Sequence, residues 1–138
     1  MVSSPFRVGL LAVLAGLTLT CVESTQVTFN ITTDVPCADV AGTSITVGLD
    51  GTTEGAAPLT VSNDCRSDGT VGAIGTYTVV PRGTKPVTAS VKIAMAVGKN
   101  MSVEADCTAE KGYQGCIVAR RRVSFVPHRR LMPLLSAA

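Results

Sequence analysis

The chain has 138 residues, a formal net charge of +2 and 46% hydrophobic residues, with two Tyr, three Phe and no Trp. This length has room for one domain, and the composition is that of a globular protein and excludes a disordered one. The small net charge supplies no concentrated basic footprint, so we expect no nucleic-acid partner. Because aromatic residues are few, the core has to be filled by aliphatic side chains, which suits β-strands.

The N-terminal segment has the proportions of a secretory signal peptide. One cation, Arg7, precedes an apolar run from Val8 to Leu19. That run is too short to span a bilayer, which takes roughly 20 helical residues. The sequence therefore predicts a signal helix over residues 1–20 and export of the rest of the chain.

The leader ends on Cys21, in the sequence Leu17-Thr18-Leu19-Thr20-Cys21. In a bacterial lipobox such a cysteine is acylated and becomes the mature N-terminus, although Thr18 and Thr20 stand where an aliphatic and a small residue are usual. The cysteine count favours lipidation, because setting Cys21 aside from the five cysteines leaves an even four for disulfides. We predict lipidation at Cys21 and a tether over residues 21–25; the alternative is loss of Cys21 with the cleaved leader.

After the tether, short alternating segments are separated by turn residues. In the first, Val27, Phe29 and Ile31 alternate with polar side chains, as expected of a half-buried strand. No segment beyond the leader has convincing helical periodicity. The predicted strands cover residues 26–32, 43–49, 59–62, 72–80, 87–97, 101–106 and 116–126.

About seven short strands at spacings near ten residues predict an all-β fold. The favoured architecture is an antiparallel β-sandwich of the immunoglobulin-like kind over residues 26–138, and a small barrel is the main alternative. No internal repeat and no long linker divides this region, so it is expected to be one domain.

Four cysteines remain to pair, and they can do so in three ways. The short spacing favours Cys107 with Cys116, which leaves Cys37 to pair with Cys65. Each bridge would add roughly 3 kcal/mol by restricting the unfolded chain. No two of these cysteines have the Cys-x-x-Cys spacing, which argues against a zinc-binding site.

The last predicted strand carries three successive arginines. Because side chains alternate along a strand, Arg120 and Arg122 lie on one face and Arg121 lies on the other, core-facing side. We therefore expect Arg121 to lie at the end of the sheet or to pair with Glu104 or Asp106.

Two interpretations of this basic segment stay open. Arg120 and Arg122, with Arg129 and Arg130 further on, are candidate residues for binding lipid headgroups or another polyanion. The alternative is an edge strand that charge protects from pairing with other chains.

The sequence offers little catalytic chemistry. His128 is the only histidine, so a zinc site or a Ser-His-Asp arrangement would rest on it alone. The aspartates fall near turns, and no acidic loop with EF-hand spacing is present. We predict no enzymatic activity, no metal site and no cofactor.

Several motifs at fixed spacing carry a family resemblance. The segment Cys116–His128 contains Cys116, then Ala-Arg-Arg, then Phe-Val-Pro-His, and residues 33–37 read Thr-Asp-Val-Pro-Cys. With a leader that ends in Cys21, these motifs resemble uncharacterised predicted lipoproteins and exported proteins of myxobacteria. The resemblance implies a location in the cell envelope and no particular activity.

These observations predict a non-enzymatic lipoprotein domain of a bacterial cell envelope with a structural or interaction role. The lipid on Cys21 would hold it at a membrane, with the outer membrane favoured over the inner. Expected partners are that membrane and an envelope polysaccharide or another envelope protein. The alternative function is a carbohydrate- or polyanion-binding module that uses the arginine-rich last strand.

Overall fold

A computed structural model describes residues 25–82, 87–125, 130–131 and 134–137. The predicted signal peptide over residues 1–20 and the lipidation site Cys21 lie outside the described residues. The same holds for the rest of the tether up to residue 24, for His128 and for Arg129.

Within these ranges the chain is an all-β sandwich, as predicted. The seven main strands are β1 (Gln26–Thr33), β2 (Val40–Leu49), β3 (Thr60–Ser62), β4 (Arg66–Asp68), β5 (Val71–Val79), β6 (Thr88–Val97) and β7 (Cys116–Ser124). They form two antiparallel sheets, one in the order β4-β5-β1 and the other in the order β3-β2-β6-β7. The order matches an immunoglobulin-like sandwich, in which strands D, E and B face strands C′, C, F and G.

Two short segments depart from a purely antiparallel arrangement. β8 (Arg130–Leu131) and β9 (Leu134–Ala137) pair with β1 in the parallel direction. They extend the first sheet because the chain crosses from β7 to the other sheet before it runs alongside β1.

The core lies between the sheets and is built from alternating residues of the central strands. Ile45 of β2 is paired with Ile93 of β6, and both are buried. From the facing sheet, Phe29 and Ile31 of β1 join the same cluster. The aliphatic core that the composition predicts is therefore formed largely by residues of the predicted alternating strands.

Two local predictions are wrong or incomplete. Residues 101–106 do not form a strand but lead into a one-turn helix, α1 (Val103–Asp106). The Ser102 hydroxyl accepts from the Ala105 N–H at 3.3 Å, and the Asp106 carboxylate accepts from the Ser102 N–H at 2.8 Å, so local caps outweigh the apolar alternation. Strand β4 was not predicted, because its three residues are polar and exposed.

The cysteines are joined as their spacing predicts, in the pairs Cys37–Cys65 and Cys107–Cys116. The first bridge ties the turn between β1 and β2 to the start of β4. Gly72 lies directly against it, because a Cβ there would meet Cys65 Sγ at 3.0 Å and Cys37 Sγ at 3.1 Å. In the part of the chain that the structure describes, no helix has the length and apolar character needed to cross a membrane.

Candidate functional site

The outer face of the four-stranded sheet, which points away from the core, is also largely buried. Ser44 of β2 lies opposite Ala94 of β6, and Thr46 lies opposite Lys92. Ser44 is 4% exposed, Thr46 1% and Lys92 6%. Because the second sheet packs on the other side, something else must cover these side chains.

Two connecting segments provide that cover, and one of them builds a second small core. Val103 of α1 and Cys107 pack on Ala94 and Ala96 of β6. The Cys107–Cys116 bridge closes this segment onto the start of β7. The other cover is the connection between β2 and β3, which brings Glu54 over the middle of the sheet.

The ammonium group of Lys92 is held between the two covers. Its Nζ donates to Tyr113 Oη at 3.2 Å and to the Glu54 carbonyl oxygen at 3.5 Å, and it lies 3.9 Å from Glu54 Oε2. It also lies 5.6 Å from the centre of the Tyr113 ring. A buried charge requires such partners, because desolvation without them is costly.

Glu54 is the centre of this arrangement. The Tyr113 hydroxyl donates to Glu54 Oε2, and Arg120 Nε donates to Glu54 Oε1 at 2.5 Å. The Arg120 hydrogen bond, followed by that of Tyr113, lowers the pKa of Glu54 from its ordinary value of 4.5 to about 2. The same ion pair raises the pKa of Arg120. We refer to Glu54, Lys92, Tyr113 and Arg120 as the Glu54 cluster.

Arg122 makes a separate pair beside the Glu54 cluster. Its Nη2 lies 2.7 Å from Asp50 Oδ2 and its Nε donates to Asp50 Oδ1 at 3.1 Å, so the contact is bidentate. The Ser90 hydroxyl donates to the same Oδ1 at 3.0 Å. Asp50 belongs to the turn after β2, where Gly51 has a φ of 81° that favours glycine.

Arg121 lies on the predicted face, and of the two predicted alternatives it takes a position at the border of the sheet rather than a pairing with Glu104 or Asp106. Asp106 accepts instead from Lys111 Nζ at 2.9 Å and from the Ser102 N–H, and the Ser102 bond and then the Lys111 contact lower the pKa of Asp106. Arg121 is exposed because β7 is an edge strand of its sheet. No carboxylate partner occurs for it among the described residues.

The open edge of β7 is partly closed by Arg121 itself. The Phe125 N–H donates to the Val87 carbonyl at 2.9 Å, so the backbone N–H and C=O groups of Phe125 point toward β6. Because these groups alternate in direction along a strand, those of Arg120 and Arg122 point away from β6. Arg121 Nη1 donates to the outward carbonyl of Arg120 at 3.0 Å. This geometry favours the edge-protection interpretation of the basic segment.

The predicted anion-binding residues are brought together only in part. Arg120 and Arg122 line a shallow cleft of about 360 Å³ together with Asp50 and Glu54. Arg130 lies in β8, which belongs to the other sheet, and Arg129 is outside the described ranges. The structure therefore places two carboxylates, together with Arg121, beside this pair.

Sequence reasoning missed most of the residues that form this site. Glu54 and Tyr113 lie in connections that carry no periodic pattern, 38 and 21 residues from Lys92. The available signal was Lys92 itself, a long cation within a predominantly apolar strand. It indicates that a partner must cover the outer face but does not say which residue does so.

Metal binding and known relatives add no further assignment. Over the described ranges, no three His, Cys, Asp or Glu side chains are grouped so that they could hold a metal ion. Comparisons with protein-family models, with curated proteins and with solved structures find no match. The class that the fold and site define is an immunoglobulin-like sandwich with two disulfides and a charged, loop-covered outer face.

Proposed function

We propose that this chain is an exported, lipid-anchored domain of a bacterial cell envelope that acts by binding rather than by catalysis. The observation that carries the proposal is the pairing of Cys37 with Cys65 and of Cys107 with Cys116. Disulfides of this kind persist in oxidising compartments, which supports export. Because four of the five cysteines are used, Cys21 is left over for a lipid.

A role other than acid–base catalysis is supported by how the charged groups of the outer face are used. Lys92 and Arg120 are engaged by Glu54, and Arg122 is engaged by Asp50. Mutually paired groups form a stable surface, whereas a general acid or base has to be free to exchange a proton with a substrate. The same pairing gives less support to polyanion binding, because an incoming anion would compete with a carboxylate at each arginine.

Metabolic labelling with an alkyne analogue of palmitate tests the anchor. In a bacterial host, we expect the wild-type chain to carry the label and to sediment with membranes. Cys21→Ser should lose the label and leave the membrane fraction, and Ser24→Ala, a small change in the same segment, should keep both. An unlabelled wild-type chain, or label that survives Cys21→Ser, contradicts the proposal.

Retention on a heparin column tests the polyanion alternative. We expect the wild-type chain and the Arg120→Ala, Arg122→Ala double variant to elute alike at low salt. Strong retention of the wild type that the double variant loses would favour the polyanion-binding function instead.

A further inference from the structure

A small polar cavity lies on the outer face of the four-stranded sheet, between the two covering segments. Ser44, Thr46 and Lys92 line it from the strands, and Glu54 and Glu104 line it from the covers. Its volume is about 80 Å³. Because a water molecule takes about 30 Å³ of liquid, this cavity holds two or three waters or one small hydroxyl-bearing group.

The groups from the strands have unused hydrogen-bonding capacity. Ser44 and Thr46 are more than nine-tenths buried as residues, but their hydroxyl oxygens stay accessible from the cavity and make no hydrogen bond among the described residues. The Lys92 ammonium carries three donors and, within the described ranges, hydrogen-bonds to Tyr113 Oη and to the Glu54 carbonyl oxygen alone. Water or another polar molecule that enters the cavity can hydrogen-bond to these groups.

The charges around the cavity restrict the chemistry of that molecule. The lining includes one cation, Lys92, and two acidic residues, Glu54 and Glu104, so an anion is disfavoured. A hydroxyl group fits both kinds of lining, because it accepts from an ammonium group and donates to a carboxylate. Glu54 also borders the shallow cleft of about 360 Å³ beside β7, where the rest of a larger molecule has room.

We propose that this cavity binds a hydroxyl-bearing group of a neutral carbohydrate. The inference rests on the proposed function, because an exported domain of the envelope is where such a polysaccharide is met. It also differs from the polyanion alternative in both place and charge. The recognition groups are Ser44, Thr46 and Lys92 rather than the exposed arginines of β7.

Saturation-transfer NMR on the full chain in detergent micelles tests the proposal, with glucose, galactose, mannose and glycerol as separate probes. We expect at least one neutral saccharide to give transfer with the wild type. The Ser44→Ala, Thr46→Val double variant should weaken its binding at least tenfold. Thr43→Val is the matched control, because it makes the same change one residue away on the inner face and should leave binding unchanged.

Three outcomes overturn the proposal. They are the absence of transfer from every neutral probe, equal binding by the double variant, and loss of the signal when sodium sulfate is added at constant ionic strength. The result is separate from that of the lipid-labelling experiment. A chain that binds saccharide but carries no lipid would contradict the lipid anchor and support this site. A chain that carries lipid but binds no saccharide would support the anchor and contradict this site.

Discussion

The two faces of the four-stranded sheet are both buried, but different parts of the molecule bury them. On the inner face, Ile45 and Ile93 pack against the second sheet in an aliphatic core. On the outer face, Thr46 and Lys92 are covered by connections that the Cys107–Cys116 bridge and an ion pair hold in place. One face is buried by regular packing and the other by loops.

This difference shows what strand alternation does and does not determine. Alternation decides which face a side chain occupies, but the depth of burial depends on what covers that face. Inner-face positions meet a continuous apolar layer and are mostly apolar, with the buried Thr43 as an exception. Outer-face positions meet individual polar groups, so a lysine is tolerated there and a polar cavity can form.

The largest expected effect separates the two faces by stability. We expect Ile93→Ala to lower the free energy of unfolding by about 2–5 kcal/mol, because it leaves a cavity in the inner core. Leu49→Ala on the neighbouring strand, where the side chain is 66% exposed, should change it by less than about 0.5 kcal/mol. Urea denaturation followed by circular dichroism measures both, and equal losses would contradict the location of the core.

Removing the bridge of the outer cover should have the next largest effect. We expect Cys107→Ser with Cys116→Ser to cost about 2.5 kcal/mol, because the bridge closes a short loop. Amide hydrogen exchange should rise in α1 and in the covering segment up to β7, while β1 and β5 keep their protection. A uniform rise across both sheets would mean that the two faces do not respond independently.

The sequence predicts most of the fold through alternation and spacing. The apolar positions of β1, β2 and β6 identify their core faces, and the short interval between Cys107 and Cys116 predicts that pair. β4 and α1 escape this reasoning because neither has enough residues to show a period. The parallel pairing of β9 with β1 depends on where the chain crosses between sheets, which no local pattern encodes.

The candidate site is less predictable than the fold. Alternation correctly places Arg120 and Arg122 together, but their partners Glu54 and Asp50 come from the connection after β2. Where such a connection lies is decided by tertiary packing rather than by its own residues. Of the two alternatives expected for Arg121, the position at the border of the sheet is the one that occurs, and solvent there takes the place of a carboxylate.

A smaller effect tests the inner face at a single hydroxyl. Thr43 Oγ1 is buried and has no hydrogen-bond partner in the part of the chain described. We expect Thr43→Val to raise the free energy of unfolding by about 1 kcal/mol, because the shape is kept and an unsatisfied polar group is removed. Thr33→Val is the control with the opposite sign, since Thr33 Oγ1 accepts from the Val35 N–H at 3.1 Å. Destabilisation by Thr43→Val would indicate that its hydroxyl has a partner.

The smallest expected effect concerns the outer face and depends on pH. The pKa of Glu54 is about 2 in the folded chain and near 4.5 when the chain is unfolded. Its ionised form therefore stabilises the fold fully above about pH 4.5, and this stabilisation is lost as the pH falls from there toward 2. Glu54→Gln should be less stable than the wild type at pH 7 by less than about 1 kcal/mol, because the carboxylate is 42% exposed and solvent screens it.

Urea denaturation at a series of pH values between 7 and about 2 measures the difference between Glu54→Gln and the wild type. We expect this difference to shrink through the acid range and to vanish near its lower end. Asp64→Asn, on the loop after β3, is the control, since its carboxylate has no cationic partner among the described residues. A difference that stays constant with pH would show that Glu54 acts through packing rather than charge. A stability difference between Glu54→Gln and the wild type that grows toward acid pH would mean that the Glu54 carboxylate does not stabilise the fold. The outer cover would then be held by the Cys107–Cys116 bridge without help from the ion pair.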